Sequence, residues 1–358
     1  MMEESDHVID TDLISDFLKK NSIDGLFVQK DENCRYITGF TGSDSYLFLT
    51  PRDFYILTDS RYVEQAKAES PDCQVVNYKG KLADCLAGLV KRHHVRTLGI
   101  ESVLTYKLYL SFDEVMEDVL FEFCPVDDLR RIKSEEELKL ISRACAISDE
   151  GFRNTIPYIR AGATERELMT ILECEMLKAG SEGKSFDTIV ASGERGAYPH
   201  GTATEKIVED GDLITFDFGA IYKGYHSDIT RTVAVGNISN RQRYLYDSVL
   251  GCVEYMEGIL KAGCRASEAD GLAREYLKKF ELDTYFTHAL GHSVGLEIHE
   301  SPVLAARDSS VLQSNMTETI EPGVYIPGTG GVRIEDTVVI KQDGISILTH
   351  FPKTFLKF

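Results

Sequence analysis

Four acidic residues in the C-terminal half of the chain stand in apolar, β-patterned surroundings. In Leu213-Ile214-Thr215-Phe216-Asp217-Phe218-Gly219, alternation puts Ile214, Phe216 and Phe218 on one face and Asp217 on the other. Asp228 belongs to a second such run, Ser227–Val235, and shares its side with Thr230, Thr232 and Ala234. A hairpin turning at Tyr222-Lys223 sets Asp217 opposite Asp228. Directly opposed Cβ atoms lie ~4.5–5.5 Å apart, and two ionised carboxylates at that spacing repel unless something positive lies between them. Further on, the run Thr317–Ile326 carries Glu321 and the run Gly331–Ile340 carries Glu335. Any one of these acids, taken singly, reads as a salt bridge or a solvated face. Four buried together cannot all ionise unaided, because desolvation and mutual repulsion each cost several kcal/mol, and divalent cations resolve the conflict.

Histidine enters in Thr287-His288-Ala289-Leu290-Gly291-His292-Ser293-Val294-Gly295-Leu296-Glu297-Ile298-His299-Glu300, between the two acidic pairs. A lone histidine is usually structural, but His288, His292 and His299 so close together favour a site. The spacing is not that of the His-Glu-x-x-His zinc motif. Carboxylate-rich ligation with one imidazole suits hard or borderline ions such as Mn²⁺ better than a thiolate-type zinc site.

The elements that must position these groups can be read around them. The 358 residues suggest two domains. From Asp24 to about Asp127, β-rich runs (Leu26-Phe27-Val28, Tyr46–Leu49, Phe54–Leu57) alternate with helical stretches near Arg61–Ala68 and Leu82–Arg92, an α/β pattern. Ser134 and Glu137 then form a capping box that opens a helix running toward Tyr158, and the domain boundary falls just before it. Beyond it, Arg160-Ala161-Gly162 ends one helix before Thr164 and Glu167 cap the next, and Lys261-Ala262-Gly263 ends another before a helix near Ser267. The second acidic pair follows the first at nearly the offset of these helix ends, so two copies of helix-helix-strand-strand are expected to face each other.

Composition narrows the partners. Thirty-nine Lys and Arg against 58 Asp and Glu give a net charge of −19, which repels phosphate backbones and anionic lipid, so neither nucleic acid nor membrane is expected as a partner. The acidic Met1–His7 stretch does not read as a signal peptide, and no apolar run reads as a transmembrane helix. Eight scattered cysteines without a C-x-x-C pair fit a reduced, cytoplasmic protein with thiols mostly in or near its core.

Taken together, these motifs resemble the pita-bread metallopeptidases, the family of methionine aminopeptidase, aminopeptidase P and prolidase, over nearly the whole chain. Asp217 in Phe-Asp-Phe-Gly, Asp228 in Ser-Asp-Ile-Thr-Arg-Thr, His292 in Gly-His-Ser-Val-Gly-Leu, Glu321 in Glu-Pro-Gly and Glu335 in Arg-Ile-Glu-Asp match the family's five metal ligands in order. The resemblance implies two divalent ions, Mn²⁺ foremost with Co²⁺ or Zn²⁺ as alternatives. Asp228 and Glu335 would bridge them, Asp217 would hold one, and His292 and Glu321 the other. His200, in Tyr198-Pro199-His200-Gly201, resembles with His288 and His299 the family's substrate and transition-state histidines, and Arg333 a contact behind the ligands or at the substrate's end.

The stretch Tyr36–Ser43 with Thr58-Asp59-Ser60-Arg61-Tyr62 is similar to the creatinase-type domain of the proline-specific branch. Ser293 departs from the family's usual glycine, and the chain has no tryptophan. The implied architecture is an α/β creatinase-like N-terminal domain over 1–130 and an α+β pita-bread catalytic domain over 131–358 with an internal pseudo-two-fold repeat.

The implied activity is hydrolysis of the Xaa-Pro bond at the N-terminus of peptides or dipeptides, by a hydroxide that two ions activate. Glu321 would shuttle protons, His299 would donate to the oxyanion or the scissile amide, and His200 and His288 would shape the proline pocket. A homodimer is implied as well. The alternatives on this scaffold are a non-catalytic peptide-binding module and a creatinase-like hydrolase that is not a peptidase.

Overall fold

The computed structural model describes residues 9–358; the Met1–His7 stretch weighed above as a signal peptide lies outside the described residues. The chain divides into two compact units, Met1–Arg130 and Arg131–Phe358.

In the first unit the elements run α1 Thr11–Lys20, β1 Gly25–Val28, α2 Asp31–Thr38, β2 Tyr46–Leu49, β3 Phe54–Thr58, α3 Val63–Glu69, β4 Gln74–Asn77, α4 Leu82–Arg92, β5 Thr97–Ile100, α5 Tyr106–Val115 and β6 Leu120–Phe123. They build one mixed sheet in the order β4-β3-β2-β1-β5-β6. Leu26, Val28, Leu47 and Ile56 pack on one side of it, and Phe27, Phe48, Tyr55 and Leu57 on the other. That explains why these strands are apolar without alternation: both faces are covered.

The second unit opens with the capping box, Ser134 Oγ accepting from Glu137 N at 3.2 Å and Glu137 Oε2 accepting from Ser134 N at 2.8 Å. Its helices are α6 Glu135–Thr155, α7 Glu165–Lys178, α8 Asn240–Ile259 and α9 Ala266–Lys278. Strands β7 Ile189–Ser192, β8 Leu213–Phe218, β9 Ile221–Tyr222, β10 Tyr225–His226 and β11 Ile229–Ala234 follow the first helix pair. Those following the second are β12 Gly291–Ser293, β13 Glu300–Leu304, β14 Thr317–Ile320, β15 Gly323–Ile326, β16 Gly330–Arg333, β17 Asp336–Lys341 and β18 Gly344–Ile347. Each half has a core of its own: Phe152, Leu168, Ile214, Phe216 and Phe218 in the first, Val249, Val253, Ala273, Ile320 and Val338 in the second. The helix-pair-then-strands repeat is thus present.

Two local expectations are corrected. The first hairpin turns at Lys223-Gly224, not Tyr222-Lys223, because these two carry φ of 46° and 74° and form the two-residue primed turn that suits twisted strands. The register therefore sets Asp217 opposite Thr230 rather than Asp228. The runs expected as continuous over Thr317–Ile326 and Gly331–Ile340 are each broken, at Glu321-Pro322 and at Ile334-Glu335. Proline offers no N–H to a ladder, and Glu335 N turns to Thr230 O in the other half instead. Among the described residues, no helix is long and apolar enough to cross a membrane, and all eight cysteines are free thiols.

Candidate metal centre

The two halves are stitched together at the acids. Glu335 N donates to Thr230 O at 3.1 Å and Thr230 Oγ1 to Glu335 Oε2 at 2.7 Å. Thr232 Oγ1 donates to Arg333 O and Thr337 Oγ1 to Asp228 O. In the second half the ladder stops at Ile320 opposite Asp336 and resumes at Gly323 opposite Arg333, with two residues skipped on each side, so Glu321 stands opposite Glu335. Thr230 and Thr232 are those that alternation placed on the side of Asp228. The short hydroxyls of Thr232 and Thr337 satisfy backbone carbonyls where the strands of the two halves meet, while that of Thr230 holds the Glu335 carboxylate.

Asp217, Asp228 and Glu335 converge until one oxygen of each lies within 4.8 Å of the others, and all three residues are buried. Asp217 Oδ1, Asp228 Oδ1 and Glu335 Oε1 have no hydrogen-bond partner among the described residues. Three clustered carboxylates, each with one orphaned oxygen, are an arrangement that a divalent cation fits. Burial first, and then the charges of Glu335, Asp217 and Glu321, push Asp228 well above the usual carboxylate range. Glu335 is raised likewise, by burial and then by Glu321 and Asp217. Burial pushes Glu321 up to about 8, with the Asp217 charge adding and Arg333 opposing.

His292 Nε2 lies 3.5 Å from both Asp228 Oδ2 and Glu321 Oε1. These would be ion pairs only with a protonated imidazole, yet burial, with the neighbouring His299 adding, lowers His292 to about 3. Its Nδ1 faces the carbonyl of Ser293 at 3.1 Å, which can only accept. The Nε2 lone pair therefore points at two carboxylates, a contact that a cation among them makes favourable.

Arg333 is buried and spends its guanidinium entirely inside the protein. Nη2 donates to Asp217 Oδ2 at 2.5 Å, Nη1 to Tyr325 Oη at 2.6 Å and to Pro199 O at 3.1 Å, and Nε to Thr230 Oγ1 at 3.2 Å. Tyr325 Oη in turn donates to His288 Nε2 at 2.8 Å, since His288 Nδ1 must donate to the carbonyl of Ala289. Burial, helped by Arg333, lowers His288 to about 4, which keeps this imidazole neutral. His299 opens toward solvent, but its ring lies 4.4 Å from that of His292, and partial desolvation lowers its pKa.

A cavity of 620 Å³ is lined by all nine residues singled out in the sequence: His200, Asp217, Asp228, His288, His292, His299, Glu321, Arg333 and Glu335. Ile189, Ile298 and Val303 give it an apolar wall.

Residues that sequence reasoning missed hold this constellation. Buried Glu165, at the start of α7, accepts from Ser192 N and Oγ, Thr204 N and Oγ1, and Arg195, fixing the loop that carries His200. In the other half Asp270, on α9, binds Arg274, whose Nη2 donates to His288 O at 2.6 Å. Tyr325 had a legible signal in its glycines. A Cβ at Gly323 would sit 2.3 Å from Tyr325 Oη, and one at Gly331, directly across the ladder, 2.9 Å from its ring. Glu165 and Asp270 had none, being ordinary acids near helix starts.

Comparison with known proteins matches residues 139–342 to the model of "Metallopeptidase family M24" and residues 12–132 to that of the "Creatinase/Prolidase N-terminal domain". A Xaa-Pro dipeptidase of Pyrococcus furiosus is 40% identical over 345 residues, 95% of this chain and 97% of the relative. The solved structure of a Xaa-Pro dipeptidase from Bacillus anthracis superposes with a TM-score of 0.94 at 40% identity, over 97% of this chain and 99% of that one. That of an X-Pro aminopeptidase from Thermotoga maritima does so with 0.90 at 36% identity, over 98% and 100%.

Proposed function

The chain belongs to metallopeptidase family M24, the pita-bread peptidases, and is a hydrolase with a creatinase-type N-terminal domain; from that premise we propose that it releases the N-terminal residue of peptides or dipeptides whose second residue is proline. The observation that carries the reading is the set of three orphaned oxygens on Asp217, Asp228 and Glu335, with His292 and Glu321 beside them. These five residues would hold two divalent ions, Mn²⁺ foremost: Asp228 and Glu335 would serve both, Asp217 would hold one, and His292 and Glu321 would hold the other.

When bound, such ions supply Lewis acidity toward the scissile carbonyl and lower the pKa of water at the site. The protein groups do the rest. Glu321, whose Oε1 accepts from Thr319 Oγ1, would take a proton from the attacking water and return it to the leaving proline nitrogen. His299 donates a ring N–H to the oxygen on which negative charge develops. An Xaa-Pro amide has no N–H to recognise, so the proline ring is selected by shape, against His200, His288 and the apolar wall. Arg333 keeps Asp217 aimed inward.

The family likeness supports a homodimer and the domain limits 1–130 and 131–358. The eight free thiols support a reducing, cytoplasmic setting. The test is release of free alanine from Ala-Pro-Ala, Ala-Pro and Ala-Ala-Ala by the Mn²⁺-loaded chain. Turnover of the proline peptides alone is expected; equal turnover of Ala-Ala-Ala, or none of any, would sink the reading.

A further inference from the structure

The hairpin that carries His292 and His299 is not spaced by its own ladder. His292 pairs with Val303, but the next residue, Ser293, pairs with Glu300, so the register jumps between the two histidines and residues 294–299 form a loop outside it. Such an irregularity aims side chains but leaves the loop in need of another support. The loop is wound around the Glu300 carboxylate, which accepts from Glu297 N at 3.2 Å and presses so near the chain that a Cβ at Gly295 would lie 2.6 Å from either oxygen. Gly295 N closes the turn by donating to Glu297 O at 3.0 Å.

Under this loop sits Lys133, only 1% exposed, with all three ammonium donors used: Glu300 Oε2 at 2.9 Å, Ser293 Oγ at 3.1 Å and Arg131 O at 3.4 Å. Its own backbone N donates to Asn315 O at 2.9 Å, which fixes where the side chain starts. Ser293 follows His292 in the chain, and Glu300 follows His299. One buried cation thus grips the residue next to each histidine, on both strands of the rung where the register jump meets the loop.

We propose that Lys133 is a positioning residue for the reaction: by tying Ser293 Oγ to Glu300 Oε2 it sets the 4.4 Å spacing of the His292 and His299 rings, and with it the aim of both into the cavity. This rests on the reading of the two histidines as parts of one hydrolytic site. A buried lysine whose only task was neutralising Glu300 would be dispensable once that charge was also removed, because losing both partners of a buried pair is far less harmful than losing one. A lysine that fixes geometry would not be.

The test compares Lys133→Met, the double variant Lys133→Met/Glu300→Gln, Lys133→Arg and Ser293→Ala in the full-length chain, by melting temperature, Mn²⁺ titration, and kcat and KM on Ala-Pro-Ala. Lys133→Met is expected to melt lower and to lose about 10-fold or more in kcat. In the double variant the melting temperature returns toward wild type, while kcat stays about 10-fold down, KM changes by less than about 3-fold and Mn²⁺ binds more weakly. Ser293→Ala, which leaves the ion pair intact, should lower kcat by about 3-fold with little change in melting, and Lys133→Arg should recover part of the loss.

Recovery of kcat together with melting in the double variant, or wild-type kcat in Lys133→Met, would overturn the proposal. Should the double variant not fold, wild-type kcat and Mn²⁺ affinity in Ser293→Ala would overturn it, and their decrease at unchanged melting would support it. A wild-type chain that cleaves no Xaa-Pro peptide sinks the hydrolytic reading instead, and the Mn²⁺ titrations then still decide whether Lys133 places His292.

Discussion

Arg333 Nη2 lies 2.5 Å from Asp217 Oδ2, and the other nitrogens of the same guanidinium bind Tyr325, Pro199 and Thr230. One planar fork therefore orients an acid of the candidate metal centre, the tyrosine that holds His288, and the segment beside His200. Lysine offers a point charge that cannot reach all four partners. Arg333→Lys is expected to lower kcat/KM on Ala-Pro-Ala by about 10- to 100-fold. Steady-state kinetics check this, and unchanged kinetics would leave Arg333 as a structural ion pair.

His288 and His299 should separate sharply. Both nitrogens of His288 are consumed inside the protein, by Ala289 O and Tyr325 Oη, so it can offer a substrate only its ring surface. Replacement by phenylalanine keeps such a surface and should reduce kcat/KM by less than about 10-fold, whereas His299→Phe removes a proton donor and should remove about 100-fold or more. The reverse order would refute this division of roles.

Metal binding should release protons. In the cation-free chain Glu321 stands at about 8 against an ordinary 4.5, and Asp228 and Glu335 are raised well above the usual range. The folded metal-free chain therefore holds protons that the unfolded chain has lost. Its stability is undiminished below about pH 4.5 and falls as pH rises toward about 8, the opposite of a salt-bridged carboxylate. Loaded chains should lack that fall. Calorimetric titration of Mn²⁺ at pH 7 in two buffers of different ionisation enthalpy should give different apparent heats, and identical heats would contradict the prediction.

Much of this centre was legible in the sequence, for a definable reason. Asp217, Asp228, Glu321 and Glu335 are charges set in apolar runs, and for Asp217 alternation alone says that it points away from the core on which Ile214 and Phe216 pack. The register was misjudged because a turn at Tyr222-Lys223 and one at Lys223-Gly224 differ only in which residues take positive φ, and lysine at such a position gives no warning. The strand breaks at Glu321 and Glu335 were missed because each lies within a run whose pattern continues beyond it. Lys133, Glu165 and Asp270 were invisible as contributors for another reason. They act through contacts far away in sequence, such as Lys133 with Glu300, which no local pattern encodes.

Glu318 is a buried cost that no part of the site uses. It lies on β14 at 0% exposure, and neither carboxylate oxygen has a hydrogen-bond partner among the described residues. Burial pushes its pKa well above the usual range, with Lys133 opposing. Glu318→Leu is expected to stabilise the protein by about 1–3 kcal/mol with kinetics unchanged. Because the unfolded chain ionises this group and the folded chain resists, the advantage should grow as pH rises above the ordinary carboxylate range. Melting curves at pH 6 and pH 8 measure it, and a variant less stable at both would contradict it.

Anomalous diffraction at the manganese edge, from crystals grown with Mn²⁺, reaches the central claim most directly. Two peaks are expected among Asp217, Asp228, His292, Glu321 and Glu335, with Asp228 and Glu335 touching both. Absence of any peak there, in crystals of a chain that still hydrolyses Ala-Pro-Ala, would contradict it.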